Sequence, residues 1–115
     1  MEVIVVEGLP AEAVSAAAVF YAAHVQRVLE AVRAARDRAD AAVLIVLPPA
    51  DVAHREWRLA AVQSLAREAA PVRVNAVAGA GEGAMSAARA WLAGAPGITG
   101  QLFALDSQTP GSDID

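Results

Sequence analysis

The chain has 115 residues, 57% of them hydrophobic, and a net charge of −4. That length and apolar content suit one compact domain and exclude a chain disordered throughout; the arginines are scattered among acids, as in Arg33 to Asp40, so no basic stripe points to a nucleic acid partner. With no cysteine there is no disulfide, no thiolate metal site and no cysteine nucleophile.

Met1 to Glu7 lacks a basic start and reaches an acid after four apolar residues, too short a run for a signal peptide or a membrane span. No membrane association is expected, and a cytoplasmic location follows by default. Val3 to Val6 is a short β-branched run ended by Gly8 and Pro10, the pattern of a strand in a covered parallel sheet. Ala11 to about Arg38 holds strong helix formers without Gly or Pro, with Glu12 at its start and Arg33, Arg36 and Arg38 near its end, as the helix dipole prefers. Ala42 to Leu47 predicts a second buried strand, stopped by Pro48 and Pro49. Asp51 is placed to cap a helix running to Ala70, which Pro71 breaks. A strand over Val72 to Ala78, a loop over Gly79 to Gly83, a helix over Ala84 to Ala93 and a strand over Gln101 to Leu105 complete the order βαβαβαβ. This alternation predicts an α/β fold with about four parallel strands and helices on the faces of the sheet. Residues 1–106 form the expected domain, and 107–115, with Pro110-Gly111-Ser112, a flexible tail. Alanine supplies much of the apolar count, so the core must come from the Val, Leu and Ile clusters with Phe20, Trp57, Trp91 and Phe103.

The stretch Ser64 to Gly79, and above all Arg73-Val74-Asn75-Ala76-Val77-Ala78-Gly79, resembles the segment that follows the catalytic Tyr-x-x-x-Lys of short-chain dehydrogenases/reductases. Ile98-Thr99-Gly100-Gln101-Leu102-Phe103-Ala104-Leu105-Asp106 is similar to that family's closing Thr-Gly-Gln strand, and Val3 to Gly8 lies where the family has a strand ending in Asn-Asn-Ala-Gly. The resemblance covers nearly the whole chain but only the second half of the family's fold, which implies a truncated Rossmann-like sheet. The glycine-rich turn that holds the cofactor pyrophosphate belongs to the family's first half, ahead of these residues. Counting back from Pro71 in the family's spacing puts Asp51 at the tyrosine position and Arg55 at the lysine position. An aspartate cannot carry out the phenol's proton transfer at a comparable pKa, and an arginine stays protonated with a different geometry. The resemblance therefore implies a family member without catalytic residues and with no cofactor of its own.

Gly79-Ala80-Gly81-Glu82-Gly83-Ala84 formally satisfies G-x-G-x-x-G/A between a strand and a helix, and Asp106 could mimic a ribose-binding acid. Glu82 would set a negative charge beside a pyrophosphate, so the preferred reading is a plain strand-to-helix turn, with cofactor binding by Gly79, Gly81 and Gly83 as the alternative. In the family's register a Pro-Gly pair stands here, and Ala80 replaces the proline. His54 lies near the altered catalytic segment, between Asp51 and Glu56, so a residual acid/base site is conceivable. A solvent-facing or interface histidine is the preferred reading, and His24 and His54 together make no metal motif. Tyr21 is expected to pack with its hydroxyl at a rim.

The first helix is apolar around most of its circumference, with Val14, Ala18, Tyr21, Val25 and Val28 on one broad face. Such breadth calls for cover on a second side, unless it only reflects the helix propensity of alanine in an alanine-rich composition. In short-chain dehydrogenases the two corresponding helices form a four-helix bundle with a neighbouring subunit. The resemblance thus implies an interface through Val14, Ala18, Tyr21, Val25 and Val28 with Trp57, Ala61 and Leu65. Two functions follow from this reading. One is an inactive subunit that oligomerises with itself or with a full-length relative, stabilising or regulating it and meeting NAD(P) only through that partner. The other is a small nucleotide- or ligand-binding protein, or an oxidoreductase, using the Gly79 to Gly83 loop and the Pro48 to Arg55 loop.

Overall fold

A computed structural model describes residues 1–79 and 81–105; the expected tail, Asp106 and Ala80 lie outside the described residues. The order of elements is the expected one. Strand β1 (Glu2–Val5) leads to a continuous helical run made of α1 (Ala13–Val19), a π-helical segment (Phe20–His24) and α2 (Val25–Ala35). Strand β2 (Ala42–Leu47), a 3₁₀ turn (Val52–His54) and helix α3 (Arg55–Ala69) follow, then β3 (Arg73–Ala78), α4 (Glu82–Ala93) and β4 (Leu102–Ala104). The strands form one parallel sheet in the order β1-β2-β3-β4, a Rossmann-like α/β arrangement.

Burial explains why β2 and β3 are central. Their runs Ala-Val-Leu-Ile-Val-Leu and Arg-Val-Asn-Ala-Val-Ala are buried on both faces, as parallel strands covered by helices must be. One face of the sheet, with Ile4, Val43, Ile45, Leu47, Val74 and Ala76, packs against Phe20, Val28 and Val32 of the first helical run and Ala61, Val62, Leu65 and Ala66 of α3. The other face has a smaller core, in which Leu44 and Val77 meet Leu92 of α4. Each fully buried Val, Leu or Phe contributes on the order of 1.5–3 kcal/mol, so the first face carries most of the stability.

The π-helical segment corrects the expected helix face. In a regular α-helix residues seven apart lie nearly in line, and Val14 and Tyr21 do so, both exposed. Val28, seven beyond Tyr21, is instead fully buried. The wider π turn between them holds one extra residue, which rotates everything after it by about 100°. Val14, Ala18 and Tyr21 therefore turn outward while Val28 turns onto the sheet, with Val25 half-buried at the changeover. Ala61 and Leu65 are likewise part of the chain's own core, on the stripe of α3 that meets the sheet. Of the eight residues expected at an interface, Val28, Ala61 and Leu65 are thus already covered by the chain itself.

Two sequence stretches twenty-odd residues apart are clipped together at β3 and β4. Asn75 Nδ2–H donates to the Ile98 carbonyl (2.9 Å), and its Oδ1 accepts from the Gln101 amide (3.0 Å). Thr99 Oγ1 accepts from the Val74 amide at 3.0 Å. Arg73 is buried and donates to the carbonyls of Leu92 (3.2 Å) and Ala95 (2.9 Å), so its charge closes the C-terminal end of α4, where the helix dipole favours a cation.

Candidate functional site

The carboxyl edge of the sheet, where an open α/β fold places its ligands, is bordered by the loop after β2 and the start of α3. Pro48 and Pro49 end β2, and Asp51 then opens the helical segment: its Oδ1 accepts from the Ala53 amide at 3.1 Å, the N-cap expected from sequence. Arg55 is exposed at the first position of α3. Asp51 and Arg55 share a hollow of about 260 Å³ with Ala50, Val52, His54, Arg58, Ala78, Leu102 and Ala104. The structure therefore brings together Asp51 and Arg55, the two residues singled out by counting back from Pro71. It does not bring Gly79, Gly81 or Gly83 into the described wall of that hollow.

Gly79 has a different explanation. A Cβ at this position would lie 2.7 Å from the Leu105 carbonyl oxygen, so the close passage of the chain after β4 demands glycine there. Gly81, with φ of +98°, is the residue from which α4 starts. Glu82 occupies the first turn of that helix, where a pyrophosphate would have to approach.

His54 is buried, contrary to the expected solvent or interface position. Its Nε2 lies 2.9 Å from the Ala11 carbonyl, and its Nδ1 lies 3.2 Å from the indole Nε1 of Trp57. A carbonyl only accepts and an indole N–H only donates, so the ring carries its proton on Nε2 and both nitrogens are occupied. His54 ties the start of α1 to α3 and has no free nitrogen for acid/base work. His24 is held separately, with Nδ1 accepting from Arg27 Nη1 at 2.8 Å. Among the described residues no group of three or more His, Asp or Glu side chains is placed to hold a metal ion.

Arg58 is the residue that sequence reasoning missed. It is only 4% exposed, and no carboxylate pairs with it among the described residues. Nη1 donates to the Pro48 carbonyl at 2.9 Å, the guanidinium carbon lies 5.6 Å from the Trp57 ring, and Nε–H is buried without an acceptor. Burial disfavours the charged form and lowers its pKa from the ordinary arginine value. The signal was present in the spacing: Arg58 precedes Ala61, Val62 and Leu65 by three, four and seven positions, so it shares their inward face. Arg58 also borders a second hollow of about 290 Å³, with Leu9, Pro10, Ala11 and Pro48 to Asp51.

On the outer side, Ala13, Val14, Ala17, Ala53, Glu56 and Trp57 line a shallow groove between α1 and the start of α3. Val14 is 79% exposed, Val52 83% and Tyr21 52%. Beneath them Phe20 joins the two helices, its ring centroid 5.9 Å from that of Tyr21 and 5.5 Å from that of Trp57. No helix of the described residues is long and apolar enough to cross a membrane.

A family model described as short chain dehydrogenase-like protein matches residues 4–105. Among curated proteins and solved structures, none gives a significant match.

Proposed function

Because the chain belongs to the short chain dehydrogenase-like family, yet has Asp51 and Arg55 where the catalytic pair would stand, we propose that it is a noncatalytic member that acts by association. The observation that supports this reading is the occupation of Asp51: its carboxylate caps the helical segment through the Ala53 amide, a structural task for the residue that the resemblance aligns with the proton-transferring phenol. Arg55 retains a positive charge but has no lysine chemistry to offer, because a guanidinium does not give up its proton in this range.

The surface used for association is the outward face of α1 with the start of α3: Val14, Ala17, Ala18, Tyr21, Val52 and Trp57. Its alanines allow helices to approach closely, and its exposed valines and tyrosine supply apolar area that a partner would remove from water. The partner is a second copy or a full-length relative that binds NAD(P), which this chain stabilises or regulates without binding the cofactor itself. The cytoplasm is the proposed location.

The test is the mass of the native assembly with and without a full-length relative encoded nearby, together with the dehydrogenase activity of each sample. A mixed complex whose activity depends on this chain, and which Tyr21→Glu dissociates, supports the reading. A monomer indifferent to that enzyme rejects it.

A further inference from the structure

A parallel strand at the end of a sheet bonds its neighbour with every second residue and turns the N–H and C=O of the others outward. β1 ends the sheet, paired on one side with β2 and with no strand on the other among the described residues. The Val6 amide donates to the Val46 carbonyl at 2.9 Å, so Glu2, Ile4 and Val6 aim their main-chain groups at β2 while Val3 and Val5 aim theirs at the open edge. Edge strands are commonly blunted by a lysine, a proline or a bulge. β1 has none of these: its sequence is Glu-Val-Ile-Val and its register with β2 is unbroken. The side chain that reaches the open row is Arg27, exposed on α2, whose Nη1 donates to the Val5 carbonyl at 3.1 Å and leaves that oxygen a second lone pair. Arg27 also donates to His24 Nδ1, and neither of these partners is a carboxylate.

We propose that β1 pairs antiparallel with β1 of a second copy, about a two-fold axis perpendicular to the sheet, with Val3 opposite the partner's Val5. The strand selects this occupant because it complements itself. In this register Val3 and the partner's Val5 exchange both main-chain bonds, and the symmetric pair does the same. A shift of two residues either way sets one of the two valines opposite Met1 or Glu7, outside the strand. Charge fixes the same register. Side chains alternate along a strand, so Glu2, which is exposed, lies on the face of Ile4 and Val6 that the helices cover. The pairing sets the partner's Glu2 opposite Val6, about 4.5–5.5 Å away across the strands, on the side from which Arg27 reaches the Val5 carbonyl. Each Arg27 thus gains a carboxylate from the other copy. On the open face Val5, 48% exposed, comes to lie beside the partner's Val3.

The experiment is sedimentation velocity over a concentration series, with hydrogen exchange of the Val3 and Val5 amides, on the full chain carrying Tyr21→Glu to disable the helix surface described above. A monomer–dimer equilibrium is expected, in which both amides exchange more slowly as the dimer forms. Val3→Pro should abolish the dimer and leave the fold intact, because the N–H it removes faces away from β2 and an edge strand tolerates proline there. Glu2→Arg should weaken dimerisation by about tenfold, turning two attractions into two repulsions, and adding Arg27→Glu should restore it. A chain that stays monomeric at every concentration would overturn the proposal, whether its edge is left open or takes an extended segment of another protein. So would a dimer that survives Val3→Pro, or one that the added Arg27→Glu does not rescue. None of these outcomes bears on the noncatalytic-subunit reading, which rests on the helix surface that Tyr21→Glu removes.

Discussion

The two halves of the sheet are held by different means. On the β3–β4 side polar side chains do much of the fastening: Arg73 closes α4, Asn75 holds Ile98 and Gln101, and Thr99 holds Val74. On the β1–β2 side the fastening is apolar and one-sided. Ile4 and Val6 pack under the helices, but on the opposite face Val5 is 48% exposed and Val3 and Val46 are half-buried. Its side-chain tie to β1 is an exposed one, from Arg27 Nη1 to the Val5 carbonyl at 3.1 Å. The residues that carry the family resemblance, Arg73 to Asn75 and Thr99 to Gln101, are the fasteners of the first half. The resemblance therefore reports how the sheet is held.

That contrast can be broken by substitution. Asn75→Leu strands both the Ile98 carbonyl and the Gln101 amide and should cost about 2 kcal/mol in urea unfolding, the sum of two part-buried groups left unpaired. A loss below about 1 kcal/mol would mean that the clip is ornamental. Asp51→Ala should cost about 1 kcal/mol, the value of a helix cap, with no change in any dehydrogenase activity of a mixed complex. A collapse of that activity with the complex intact would give Asp51 a chemical role. Val5→Lys, on the open face, should change stability by no more than about 0.5 kcal/mol. A larger loss would show that this face is covered in the native assembly.

The strand and helix order could be read from sequence because each signal is local. The apolar run Ala42 to Leu47 has few alternatives to a buried strand, and Asp51 after two prolines marks a helix start. What could not be read was non-local. The contact from Asn75 to Gln101 spans twenty-six positions, and the carbonyl that binds His54 belongs to Ala11, forty-three positions away. The π turn at Phe20 to His24 leaves no compositional mark, and a helix face extrapolated across it places Val28 on the wrong side. Arg58 was legible by spacing alone, but an arginine on an apolar stripe is easily taken for a surface residue whose stem lies over the core.

The spatial order β1-β2-β3-β4 repeats the order along the chain. During synthesis each strand can therefore add to an edge already laid down, and none has to be inserted between two others. A ribosome can deliver this sheet strand by strand, each helix emerging in time to cover the pair it connects.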